Sequence, residues 1–143
     1  MRFTTPDVIE ALASALRSRE SLDGVDVFTA HPGEYLPFTD AITFFGSEHH
    51  RTPADLQGDT DSYVVFGSTY SLRQGSDGDT VKATRERATE LLDELANAIE
   101  ADRHVGGLLV FADVSVAELN QGHDAGNRWC EIKFEIACEA SPA

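Results

Sequence analysis

Asn127-Arg128-Trp129-Cys130-Glu131-Ile132-Lys133-Phe134-Glu135-Ile136-Ala137-Cys138-Glu139 alternates almost without fault. Cys130, Ile132, Phe134, Ile136 and Cys138 fall on one side, and Glu131, Lys133, Glu135 and Glu139 on the other. Side chains of a strand point to its two faces in turn, so this is a strand with one buried and one charged face. A second alternating segment, Leu108–Leu119, precedes it. The polar stretch Asn120-Gln121-Gly122-His123-Asp124-Ala125-Gly126 reads as the loop between the two strands. It is longer than most hairpin connections, which predicts that it projects. Upstream lies a helix from about Thr80 to Arg103, stopped at Gly106-Gly107. Ala88, Leu91, Leu92, Leu95 and Ile99 form a narrow apolar stripe along it. One stripe means one buried side, so the helix is expected to lie across the sheet, its stripe against Cys130–Cys138. No nucleophile or metal cluster is set into this unit.

Working outward, Gln74–Asp79 is a turn, and Ser62–Leu72 is a further strand with Val64, Phe66, Tyr70 and Leu72 as its expected apolar face. Gly46–Asp61 is polar, contains Pro53 and Gly58, and lacks periodicity. It predicts a projecting loop, with His49, His50 and Arg51 as candidate contacts to a neighbouring subunit or to the protein of a tube. Ala41–Phe45 and Val25–Ala30 are short strands, separated by the turn His31-Pro32-Gly33-Glu34. At the start, Thr5 suits an N-cap, Pro6 the first helical position and Asp7 the helix dipole. Val8, Ile9, Leu12, Ala15 and Leu16 then recur at helical spacing. The order predicts an α+β fold: one domain over residues 1–143, a mainly antiparallel sheet of four to five strands, and two helices packed on it.

A chain of 143 residues can bury a real core without staples. Its net charge of −14 is large, the carboxylates are spread along it, and no basic stretch is present. Direct binding to nucleic acid or to anionic membranes is therefore disfavoured. The N-terminus lacks an apolar run of signal-peptide length, and no run approaches a membrane span. Cys130 and Cys138, in one extended strand, would sit ~26 Å apart, too far to pair. They read as buried free thiols, consistent with synthesis in a reducing cytoplasm.

The sequence offers no chemical constellation. Calcium-loop fragments at Asp59 and Asp77 fail, because Val64 and Lys82 stand where glycine is needed. His49-His50 has no partner at zinc spacing, and His31, His104 and His123 are isolated. Gly67-Ser68-Thr69 is not a nucleophile elbow, and Gly106-Gly107 precedes a strand, so it is no phosphate loop. No cofactor, metal or catalytic residue is expected. Trp129, on the charged face, is either a contact residue or an aromatic cover for the sheet edge. With Glu131, Lys133 and Glu135 it forms the second group of candidate interface residues.

The order of elements over residues 5–139 resembles the tail-terminator (minor tail, tail-completion) proteins of long-tailed non-contractile phages. Over 80–139 the resemblance extends to residue pattern: Arg87-Ala88-x-x-Leu91-Leu92-x-x-Leu95-x-x-x-Ile99, a Gly-Gly stop and an ending Ile132-x-Phe134-x-Ile136. It implies a non-enzymatic virion protein of the tail or neck. Such a protein forms a ring, commonly a hexamer, that caps the tail tube, contacts the head–tail connector and lets DNA pass unbound. A head-closure or other neck protein is the nearest alternative. A small acidic immunity or inhibitor protein is a second class, though its carboxylates would cluster. An enzyme is a third, without visible acid–base or nucleophilic groups.

Overall fold

The computed structural model describes residues 4–30, 39–51, 61–75 and 77–140, with the backbone alone for His50, Arg51 and Asp61. Its elements are α1 (Thr5–Arg17), a short 3-10 turn (Glu20–Leu22), β1 (Asp26–Phe28), β2 (Asp40–Arg51), β3 (Asp61–Gln74), α2 (Gly78–Ala101), β4 (Phe111–Asp124) and β5 (Asn127–Ala140). The strands form one sheet in the order β1-β2-β3-β5-β4. β1 runs parallel to β2, and every other pairing is antiparallel. The α+β class, the largely antiparallel sheet and the long helix are as the sequence predicts.

β5 pairs on both sides, with β3 and with β4, so its alternation becomes the centre of the core. Cys130, Ile132, Phe134, Ile136 and Cys138 are all buried. Ala88, Leu91, Leu95 and Ile99 of α2 are buried too, and Leu92 packs beside them. Burying each large aliphatic side chain contributes about 1.5–3 kcal/mol. The two thiols are free, and burial raises both pKa values, that of Cys138 to about 12. Val8, Leu12, Ala13 and Leu16 bring α1 into the same core. Its N-cap is Thr4, one residue before the expected Thr5, and Ala15 is exposed.

Three expectations fail for physical reasons. First, the stretch from Asn120 to Asp124 is strand, not loop; only Ala125 and Gly126 connect β4 to β5. Both have positive φ (48° and 82°), the signature of a type I′ hairpin turn. Polar residues continue this strand because it lies at the edge of the sheet, where they can face water. Second, Gly46–Arg51 is also strand, paired with Asp61–Phe66 after a bulge at Phe45. Residues 52–60, the remainder of the expected loop, lie outside the described residues.

Third, β3 buries the opposite face from the one expected. Tyr63, Val65, Thr69 and Ser71 are buried, while Val64, Phe66, Tyr70 and Leu72 are only half-buried; of the expected face, which also includes Ser68, Ser68 alone is buried. The reason is close approach. Thr69 Oγ1 donates to the Ala88 carbonyl of α2 at 2.9 Å, and the Phe134 ring fills the space above Gly67. Phe134 also meets Phe44 edge-on, with ring centroids 5.9 Å apart. Small residues on β3 make room for a helix and a ring supplied by other elements.

Candidate functional site

The seven candidate residues divide between two places. Trp129, Glu131, Lys133 and Glu135 share the face of β5 turned away from the helices, as their alternation with buried Cys130–Ile136 requires. His49 stands elsewhere, near the end of β2. Its ring stacks on Tyr63 with centroids 4.7 Å apart, and its Nε2 lies 3.0 Å from Thr5 Oγ1 and 3.2 Å from Ser47 Oγ. Thr4 Oγ1 and the Tyr63 hydroxyl share a hydrogen bond of 3.1 Å. Those contacts fasten the start of α1 to the β2–β3 hairpin, so His49 has a structural task. The backbones of His50 and Arg51 pair with Ser62 and Asp61.

On the outer face, Trp129 is committed to its neighbours. It stacks on Tyr70 (6.5 Å, 20° between planes) and lies across Gly122, where an added Cβ would collide with the indole. Burial, then the charges of Glu131 and Asp124, raise the Tyr70 pKa. The indole therefore covers the sheet. Lys133 Nζ lies 3.6 Å from Glu118 Oε2 across the β4–β5 pair, an exposed ion pair worth about 0–1 kcal/mol. This surface is acidic, sheet-like and held in place by cross-strand contacts.

Asp40 gathers donors from three side chains. It accepts hydrogen bonds from Ser71 Oγ (2.9 Å), Arg73 Nη1 (2.8 Å) and Arg87 Nε (3.0 Å). Burial alone would raise its pKa, but those donors outweigh burial and lower it. Arg87 continues to Glu90 at 3.0 Å. The cluster joins β2, β3 and α2, and its charges are satisfied internally, so it reads as a clasp.

Buried thiols and hydroxyls among the described residues are engaged structurally. A thiol whose pKa burial raises to about 12 is a poor nucleophile. The Thr69 and Thr84 hydroxyls are spent on backbone carbonyls. Among the described residues no group of three or more His, Cys, Asp or Glu could hold a metal ion, and no helix is long and apolar enough to cross a membrane.

Exposed sheet edges are expected interface surfaces, but the apolar character of one of them lies outside the candidate residues. β4 lies at the edge of the sheet with Phe111, Val116 and Leu119 exposed, next to exposed Val110. A signal was present: Val116 and Leu119 are three apart, out of step with strict alternation. A register shift between Val116 and Glu118 marks the bulge responsible.

No family model matches the sequence, and no curated protein matches it. Among solved structures, the chain is similar to one in the virion of a native gene transfer agent (GTA) particle. The two are 14% identical, the match covers 92% of this chain and 94% of that one, and the TM-score is 0.52. At that identity the likeness establishes a shared fold, and it spans nearly the whole of both chains.

Proposed function

We propose that the protein is a structural component of a phage or phage-like virion, a tail terminator that forms a ring between the tail tube and the head–tail connector. The observation that carries this reading is the fold shared, over almost all of both chains, with a chain of a virion particle. The tail-terminator resemblance of residues 80–139 supports the finer assignment. The net charge of −14 agrees with it physically. A channel lined by Asp and Glu repels phosphates, so DNA slides through without sticking. The ring is a cyclic homo-oligomer, most simply a hexamer, built from one repeated heterologous contact. The outer face bearing Glu131, Lys133 and Glu135 and the end of the β2–β3 hairpin bearing His49, His50 and Arg51 face neighbouring subunits.

Electron microscopy of the purified protein, beside a DNA gel shift, tests this. Rings with no shift at moderate salt are expected. A monomer that shifts DNA would end the reading. A monomer that instead inhibits a nucleic-acid-binding protein would move the assignment to an acidic mimic.

A further inference from the structure

The two edges of the sheet are treated differently. β1 is three residues long, and Arg17 Nη2 donates to its Val27 carbonyl at 2.6 Å. β4 is fourteen residues long and, among the described residues, pairs only with β5. Arg103 covers just its beginning, donating to the Ala112 carbonyl at 3.1 Å. Past that point no other described residue pairs with the edge. Val116 is 58% and Leu119 43% exposed. Leu119 borders a groove of about 390 Å³ whose other wall is the α2 flank Arg85–Glu90. A long open edge with exposed apolar side chains is a template for another strand.

Charge decides the occupant. β4 carries Asp113, Glu118 and Asp124 and contains neither Lys nor Arg; Asp113 meets Arg103 at 3.3 Å and Glu118 meets Lys133 at 3.6 Å, but both are exposed pairs of little strength that a partner's cations can share. A second copy paired edge to edge would set these carboxylates against the same three in its own β4. Added strands gain affinity from main-chain hydrogen bonds and specificity from alternate side chains. We propose that the free edge of β4 docks an extended segment of a basic partner protein, with Lys or Arg alternating with aliphatic residues. The aliphatic side chains pack on Val116 and Leu119, and the basic ones meet the carboxylates on the other face. The proposal stands on the sheet edges alone and is independent of the ring reading.

The probe is a fluorescein-labelled synthetic peptide alternating Lys and Val, on the order of ten residues, titrated with the full-length protein by anisotropy. Saturable binding at physiological salt is expected, with none to a peptide alternating Glu and Val. The double variant Val116→Lys/Leu119→Lys weakens binding at least about tenfold. Ala83→Lys/Asn97→Lys makes the same charge change at exposed positions of α2 and leaves binding within about twofold. Equal loss in both variants would reveal mere attraction to an acidic surface and overturn the proposal. Absence of peptide binding also overturns it. If, in that case, the protein self-associates and Val116→Lys/Leu119→Lys abolishes this, the occupant is a second copy.

Discussion

Gly67 is a position where one methyl group decides whether two elements fit. A Cβ there would collide with Phe134 Cζ and with the Thr43 carbonyl oxygen. Gly67→Ala should lower stability by about 3 kcal/mol, the upper end of overpacking costs. Urea unfolding should show a lower midpoint at unchanged slope. Phe134→Leu in the same chain should recover part of the loss, since it removes one of the two collisions. Asp40 makes a different kind of prediction. Its carboxylate has a lowered folded pKa, so it adds stability that is fully present above the unfolded-state pKa of about 3.9. That stability is lost as pH falls through the folded value. Asp40→Asn should cost about 1.5–3 kcal/mol near pH 7, the range for hydrogen bonds to charged groups. The gap between Asp40→Asn and wild type should close on acidification below about pH 4. An equal gap at pH 7 and pH 3 would mean that the ionised carboxylate is not what Ser71, Arg73 and Arg87 recognise.

At the scale of elements, the β4–β5 turn holds Ala125 at φ 48°, a region that costs a non-glycine residue roughly 1–2 kcal/mol. Ala125→Asn creates Asn-Gly, the preferred type I′ pair, and should stabilise the protein by about 0.5–1 kcal/mol. A thermal midpoint unchanged or lowered by that substitution would refute the turn assignment. The same hairpin shows what the sequence reveals and what it hides. β5 was legible because it packs against a single helix layer, which leaves a clean alternation. β3 was not, because its inner face is shaped by Phe134 and Ala88, which lie far along the chain. Asn120–Asp124 looked like loop because an edge strand can be polar on both faces. Of the candidate residues, the outer-face group was visible from alternation. The tasks of His49 and Trp129 were not, since they depend on Thr5, Tyr63, Tyr70 and Gly122.

For the whole molecule, the net charge of −14 opposes any contact between copies. Salt screens this repulsion, the Debye length shrinking to about 8 Å at 0.15 M and about 3 Å at 1 M. Assembly of the proposed ring should therefore strengthen with salt. Light scattering at fixed protein concentration should show mass rising between roughly 20 mM and 500 mM sodium chloride. A mass that falls over this range would point to ion pairs as the main subunit contact.

The order β1-β2-β3-β5-β4 has a consequence for how the protein is made. The strand translated after the other four is the one that separates β3 from β4. Until it leaves the ribosome, β4 has no partner, β3 has β2 alone, and α2 has half a floor to lie on. Completion of the fold should therefore wait until β5 has emerged. Nascent chains arrested before Asn127 should remain protease-sensitive throughout, and chains released after Ala140 should become resistant in one step.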